Sequence, residues 1–388
     1  MDELKATTPV VGMVGGGQLA RMTHQAALAL GVELQVLARS PHESAARVSG
    51  NVHLGDDSSL RDLNAFAKPC DVVTFDHEHV PDPVLRELTS AGVRLRPARA
   101  ALQHAQDKLR MRTRTAELGI PSPRWQAVAN VNQVDAFAAE VGWPVVLKAA
   151  RGGYDGKGVW PVAGPQEAAQ VVRRATEASV ALLAEERVAF RRELAAQVAR
   201  SPHGQVAVYP VVETRQRDGM CHEVLAPAPG LAEERATRAQ QVAVELAHAL
   251  DVVGMLAVEL FETDTGVVVN ELAMRPHNSG HWTIDGAATS QFENHLRAVL
   301  NLPLGTPNAL SPVTVMANVV GGDDPDVFGR LVHVLAKDPE VKVHLYGKEV
   351  RPGRKVGHVT VRGTDPEQLV ARAQDAAAYL NGKGADDE

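Results

Sequence analysis

Pro144-Val145-Val146-Leu147-Lys148-Ala149-Ala150-Arg151-Gly152-Gly153-Tyr154-Asp155-Gly156-Lys157-Gly158 carries two signals at once. Residues 144–150 read as a buried strand with a single lysine in an apolar run. An unpaired ammonium is expensive to bury, so Lys148 needs an anionic partner. The next seven residues, 152–158, hold four glycines and form a loop rich in accessible N–H groups. A strand lysine beside such a loop suits the charged oxygens of a triphosphate. The plainer alternative is a hairpin loop with a snorkelling lysine.

Further along, Gly254 to Phe261 and Gly266 to Ala273 read as apolar strands joined by Glu262-Thr263-Asp264-Thr265. Four-residue connections of this kind make hairpins. A symmetric hairpin sets Glu259 opposite Glu271, Phe261 opposite Val269 and Ala257 opposite Ala273. Like charges directly opposite each other are destabilising. A magnesium ion, which takes one or two carboxylates plus substrate phosphates, resolves the conflict. Asn270 adds a neutral oxygen, and two acids on a solvated face is the competing reading. The following run, Arg275-Pro276-His277-Asn278-Ser279-Gly280-His281-Trp282, is dense in donors, as an anion pocket or a surface loop would be. Its two histidines lack a clear third and fourth ligand for zinc.

Two other segments point to phosphate. Lys348-Glu349-Val350-Arg351-Pro352-Gly353-Arg354-Lys355-Val356-Gly357-His358 concentrates positive charge around a Pro-Gly turn, which suits a phosphate monoester or a solvated hairpin. Gly15-Gly16-Gly17-Gln18-Leu19-Ala20 lies between an apolar strand, Val10 to Val14, and a helical pattern, Gln18 to Leu30, that stops at Gly31. Glycines there allow a phosphate to approach the helix N-terminus, although a tight turn reads the same way. A dehydrogenase expects an acid at the end of the second strand, Glu33 to Leu37. This chain has Arg39 just beyond it, which keeps open an NADP-dependent oxidoreductase.

Length and composition set the frame. A chain of 388 residues is too long for one ordinary core. The net charge of −7 gives no global basic field, so nucleic acid is not an expected partner. No apolar run is long enough for a membrane span, and the polar, acidic start does not read as a signal peptide. Two distant cysteines, Cys70 and Cys221, make no disulfide scaffold and fit a reducing cytoplasm. Strand Asp71 to Phe75 and helix Pro83 to Ala91 complete a small open parallel sheet in the first hundred residues. A helix from Asp107 to Leu118 leads into Pro121-Ser122-Pro123, a boundary or hinge. Strands are expected around Val145, Leu182, Val206, Glu223, Leu256 and Val268. Helices are expected over Leu231 to Leu250 and Pro366 to Leu380, with a strand-rich stretch from Pro312 to Val320 onward.

Together these segments resemble the ATP-grasp family, and within it the branch that carboxylates aminoimidazole ribonucleotide. Gly16 to Met22, Gly152 to Gly158, Asn270 to Thr283 and Lys348 to His358 carry the resemblance, and His277-Asn278-Ser279-Gly280-His281-Trp282-Thr283 is its most specific run. It implies an α/β fold, α+β in part: an N-terminal Rossmann-like preATP-grasp domain over 1–105, a two-lobed ATP-grasp domain over 106–305, and a small C-terminal β-rich domain over 306–388. It implies an ADP-forming, carbon–nitrogen bond-forming ligase that turns bicarbonate and 5-aminoimidazole ribonucleotide into the N5-carboxy product by way of carboxyphosphate. ATP and Mg2+, with Mn2+ possible, are the implied cofactors, and a homodimer is the implied assembly.

The resemblance also implies roles. Lys108 and Lys148 contact ATP phosphates, and Gly153, Tyr154, Asp155, Gly156, Lys157 and Gly158 close over them. Glu185, Glu186, Arg187 and Val188 form the adenine hinge, and Glu193 is the ribose acid. Glu259 and Glu271 hold magnesium, with Asn270 beside them. Arg275, His277 and Asn278 flank bicarbonate and carboxyphosphate. Tyr154 and Asp155 approach the aminoimidazole, with Asp155 orienting or deprotonating its amine. Gln18, Glu78, Lys348, Arg354 and Lys355 hold the ribonucleotide. The chain departs from the family pattern at Asp76 and His77, where a glutamate and an aromatic are usual, and at His104, where arginine is common. Ala20 and Met274 replace a usual glycine and proline. Other ATP-grasp ligases, such as a formate-dependent transformylase or a biotin-carboxylase-like subunit, share the fold, and a non-catalytic nucleotide sensor would share the binding residues.

Overall fold

The computed structural model describes residues 8–153 and 156–382. The N-terminal unit is a four-stranded parallel sheet in the order Val52–Leu54, Glu33–Ala38, Val10–Val14, Val72–Phe75. Strands Val10–Val14 and Val72–Phe75 are almost entirely buried because helices cover both faces of the sheet, as parallel sheets require. Helix Gln18–Leu30 starts at the glycine loop and ends at Gly31, whose φ of 67° is the left-handed cap that glycine adopts without strain. Helices Leu60–Ala67 and Arg99–Gln106, which the apolar pattern did not single out, also belong here.

The central region holds two antiparallel sheets. The smaller has the order Trp125–Val128, Leu182–Glu186, Val145–Ala149, Val159–Val162. Helices Val131–Val141 and Pro165–Glu177 pack on it through Val134, Phe137, Val145, Leu147 and Ala184. The larger sheet has nine strands, and Arg192–Arg200 pairs with both Gly254–Glu262 and Val212–Arg217. Those two strands, Arg192–Arg200 and Val212–Arg217, escaped the sequence reading. Arg192–Arg200 is buried on both faces: Leu194, Ala196 and Val198 meet helix Glu233–Ala249, while Ala195 and Ala199 meet Met255 and Trp282. A strand buried on both sides loses the alternation that reveals a strand.

The hairpin departs from symmetry. Ala257 faces Ala273 and Glu259 faces Glu271 as expected, but the register then shifts, so Leu260 faces Val269 and Phe261 faces Val268. The expected Phe261–Val269 pair is therefore wrong by one residue. Asn270 is the extra residue of a β-bulge, a feature that re-aims side chains and gathers near active sites. The C-terminal strands continue the same large sheet. Val313–Val320 pairs with Met220–Ala226 on one side and Lys355–Gly363 on the other, and helix Pro366–Leu380 packs on it. Among the described residues no helix is long and apolar enough to cross a membrane.

Candidate functional site

The cleft between the two central sheets is built on helix Lys108–Glu117. Asp107 caps it, accepting from the N–H groups of Leu109 at 3.0 Å and Arg110 at 3.3 Å. The same carboxylate accepts from Arg151 at 3.0 Å, and the Lys108 N–H bonds to the Ala150 carbonyl at 2.8 Å. The start of the second glycine loop is thereby fixed to the start of the helix. Gly152, Gly153, Gly156 and Gly158 all have positive φ, and the Ala149 N–H closes the loop on the Gly158 carbonyl at 2.8 Å. Tyr154 and Asp155 lie outside the described residues.

The anion that Lys148 requires is Glu185, 2.7 Å away, and Asn270 Oδ1 accepts from the same ammonium at 3.0 Å. Glu185 is buried, and its other oxygen accepts from Arg112 at 2.7 Å. Burial opposes its charge, but Lys148 and Arg112 outweigh that and hold the carboxyl below its ordinary value. The side chain of Glu185 is thus committed to cations. Glu186 is tied to the Arg124 N–H at 2.9 Å, while Arg187 is exposed and Val188 half-buried. Residues 185–188 lead from the small sheet toward strand Arg192–Arg200 of the large one, where Glu193 is the second paired residue.

Glu193, Glu259 and Glu271 share one face of the large sheet, because Ala195 lies opposite Glu259 and Glu259 opposite Glu271. Lys108 donates to Glu271 at 2.9 Å. The Glu259 carboxyl is pushed up to about 7, first by burial and then by the charges of Glu271 and Glu193. Burial, reinforced by Arg275 and Lys355, pushes His277 down to about 3, so its imidazole is neutral. Its Nδ1 lies 3.4 Å from the Ser279 N–H, which donates to it, and Nε2 is left to donate to Glu259 at 3.3 Å. Among the described residues no group of three or more His, Cys, Asp or Glu is set to hold a metal ion. A cation here would rest on two carboxylates and the phosphate oxygens of a nucleotide. That hard-oxygen set suits magnesium, and the mutual repulsion of the two acids is what a cation would relieve.

A second half of the site meets this one at Arg275. Its guanidinium donates to Glu78 at 2.9 Å, and Glu78, Asp76 and Glu271 together hold it protonated against the cost of burial. Glu78 Oε1 is buried with no protein partner. Asp76 accepts from the Gly17 N–H at 2.6 Å, and His77 pairs with Asp57 at 2.8 Å. These two departures from the family pattern therefore hold the first glycine loop and the strand ends around it. Gly15 has φ +107°, and a Cβ there would stand 2.2 Å from Asp76 Oδ1, so only glycine fits. Gln18 accepts from Lys348 of the basic loop. Arg354 donates to the Glu349 carbonyl at 3.2 Å. The charge of Lys355 acts on both Glu259 and His277, which brings the C-terminal region to the acid pair. Burial pushes the His104 imidazole below its ordinary value.

Three residues that the sequence did not mark complete the site. Arg112 also donates to the carbonyls of Val269 at 3.0 Å and Asn270 at 2.9 Å. Gln291 bonds both backbone groups of His277, at 2.9 and 2.8 Å. Asn318 exchanges amide bonds with Asn278 at 3.0 and 2.8 Å. Each is one polar residue in a segment with no motif, so only the folded geometry reveals it.

Comparison with known proteins agrees with this geometry. The ribonucleotide synthetase preATP-grasp domain matches residues 8–106, the ATP-grasp domain residues 113–292, and the phosphoribosylaminoimidazole carboxylase C-terminal domain residues 314–372. The N5-carboxyaminoimidazole ribonucleotide synthase of Mycobacterium tuberculosis is 55% identical over 377 residues, covering 96% of this chain and 88% of that protein. The crystal structure of N5-carboxyaminoimidazole ribonucleotide synthetase from Thermus thermophilus superimposes with a TM-score of 0.86 at 38% identity, over 96% of this chain and 99% of that one. The synthase from Aspergillus clavatus, solved in complex with ADP and 5-aminoimidazole ribonucleotide, gives a TM-score of 0.87 at 30% identity over 96% and 99%. With its lysines, acid pair and anion loop arranged as described, this chain belongs to the N5-carboxyaminoimidazole ribonucleotide synthase family of ATP-grasp ligases.

Proposed function

We propose that this chain uses ATP and magnesium to join bicarbonate to the exocyclic amine of 5-aminoimidazole ribonucleotide, a step of purine biosynthesis. The observation that carries this reading is the placement of Glu259 and Glu271 between Lys108 on one side and Arg275 and His277 on the other. ATP lies in the cleft with its phosphates toward Lys108 and Lys148, under the loop from Gly153 to Gly158. Glu185 to Val188 line the adenine, and Glu193 meets the ribose. Glu259 and Glu271 would hold magnesium, with Asn270 beside them; the ion supplies charge neutralisation to the phosphate oxygens, and Mn2+ satisfies the same donors.

A bicarbonate oxygen attacks the γ-phosphorus, the bond from that phosphorus to the ADP oxygen breaks, and carboxyphosphate forms. Lys148 neutralises charge that develops on the transferred group, since this chemistry depends mainly on positioning and electrostatics. Arg275, neutral His277 and Asn278 surround the carboxylate. Carboxyphosphate then breaks its carbon–oxygen bond to give CO2 and phosphate. The amine nitrogen bonds to that carbon and loses a proton, which Asp155 accepts. Tyr154 is assigned to the aminoimidazole by the family resemblance alone. Gln18, Glu78, Lys348, Arg354 and Lys355 hold the ribonucleotide. Closure of the loop excludes water, which would destroy the intermediate.

The same reading divides the chain at 1–105, 106–305 and 306–388, makes it a homodimer and places it in the cytoplasm. Incubation with labelled bicarbonate, ATP and aminoimidazole ribonucleotide tests the chemistry. An acid-labile, ATP-dependent label on the ribonucleotide is expected, and label appearing only with a different amine would replace the assigned acceptor.

A further inference from the structure

Arg112 follows Lys108 by one helical turn, so both side chains leave the same face of helix Lys108–Glu117. The Arg112 side chain is fully buried, at 0% exposure. All three of its guanidinium nitrogens are used. Nε donates to Glu185 Oε1 at 2.7 Å, Nη1 to the Val269 carbonyl at 3.0 Å and Nη2 to the Asn270 carbonyl at 2.9 Å. Those carbonyls belong to the strand segment where the hairpin register shifts. A bulge interrupts the ladder and leaves backbone groups without their strand partners. Val267–Ala273 is moreover an edge strand of the large sheet, and here a single planar fork from another element takes the carbonyls of Val269 and Asn270.

The contacts form a closed ring. Arg112 holds Glu185, Glu185 Oε2 holds Lys148 Nζ at 2.7 Å, Lys148 donates to Asn270 Oδ1 at 3.0 Å, and the Asn270 carbonyl returns to Arg112. The ring joins the helix, strands Val145–Ala149 and Leu182–Glu186 of the small sheet, and strand Val267–Ala273 of the large one. Glu271, the residue after Asn270, is held by Lys108 from the same helix face. One helix therefore sets both the lysine above the cleft and the strand that carries an acid into it.

We propose that Arg112 is a positioning residue of the nucleotide site. It fixes the bulge at Asn270 and the carboxylate of Glu185, and these two set where the Lys148 ammonium meets the phosphates. This rests on the reading of the cleft as the ATP site. Lysine cannot replace arginine in the role, because an ammonium is a point donor and the three acceptors require a rigid planar fork.

Two variants test the assignment. Arg112→Lys keeps the charge and loses the fork. Arg112→Met combined with Glu185→Gln removes the Arg112–Glu185 ion pair as a unit, while an amide oxygen at 185 and Asn270 Oδ1 can still accept from Lys148. For each, ADP affinity is measured by calorimetry without the ribonucleotide, alongside thermal unfolding and the KM values for ATP and for the ribonucleotide. Positioning predicts that both variants fold, bind ADP about tenfold or more weakly and raise the KM for ATP, with the KM for the ribonucleotide unchanged. Wild-type ADP affinity and ATP KM in either folded variant would overturn the proposal. Should the double variant not fold, Arg112→Lys decides alone. A wild-type protein that binds no ADP would instead refute the nucleotide reading of the cleft, and the role of Arg112 with it.

Discussion

Glu259 stands directly opposite Glu271 across the hairpin, and the Lys108 ammonium lies 2.9 Å from Glu271. Facing carboxylates repel, and the cost shows in the Glu259 carboxyl, which burial and Glu271 push up to about 7. Lys108 offsets the charge of one acid and leaves the other short of a cation. A hairpin selected for stability alone would place an apolar pair here, as it does one step away at Ala257 and Ala273.

Glu271→Gln should therefore remove ATP turnover while leaving the fold intact. The amide still accepts from Lys108 and relieves repulsion from Glu259, so stability should change by no more than about 1 kcal/mol. ADP release should fall by about 100-fold or more, because one of the two carboxylates that would hold magnesium against the reacting phosphates is lost. Coupled-enzyme kinetics and urea unfolding check the two parts separately. Chelation of divalent metal should reproduce the kinetic loss in the wild-type protein.

Gly153→Ala tests the second glycine loop. Gly153 has φ +86°, and an added Cβ would sit 2.4 Å from the Lys157 carbonyl oxygen. The loop must change shape to admit it, at a cost of about 1 kcal/mol or more. Because the loop is exposed, the melting temperature should stay close to wild type. The KM for ATP should rise about fivefold or more at that cost, while the KM for the ribonucleotide holds.

The Asp57–His77 pair should make stability depend on pH in a defined window. Burial is the largest single effect and opposes both charges, but the hydrogen bond between them and the nearby charges, Arg39 for Asp57 and Asp76 and Glu78 for His77, together outweigh it, so His77 is raised above 6.5 and Asp57 falls below 3.8. The stabilisation from His77 is fully present below 6.5 and is lost as pH rises through its raised value. That from Asp57 is present above 3.8 and is lost as pH falls through its lowered value. The stability gap between wild type and Asp57→Asn should thus be widest between about pH 4 and 6.5 and shrink toward pH 9. Denaturant unfolding of both proteins across that range measures it, and a gap that widens toward pH 9 would contradict the pairing.

Much of this site could be read from residues alone, for physical reasons. Lys148 announced a buried partner because a lone ammonium in an apolar strand is costly, and Glu259 and Glu271 were paired by strand period and loop length. What stayed hidden depended on register and on long-range contacts. The bulge at Asn270 shifts Phe261 from Val269 to Val268, and nothing local in the sequence marks it. Arg112 sits between Arg110 and Arg114 in a helix with no apolar stripe to separate them, so its burial is visible only once the two sheets are in place. The family resemblance implies an adenine-hinge role for Glu185, and the fold adds that its carboxylate is spent on Arg112 and Lys148. Strand Arg192–Arg200 was missed because both its faces are covered.

ADP release from MgATP in bicarbonate buffer, measured with and without 5-aminoimidazole ribonucleotide, tests the central claim most directly. Strong stimulation by the ribonucleotide is the predicted result. Unstimulated release from a folded protein that still binds ATP would contradict the assigned acceptor.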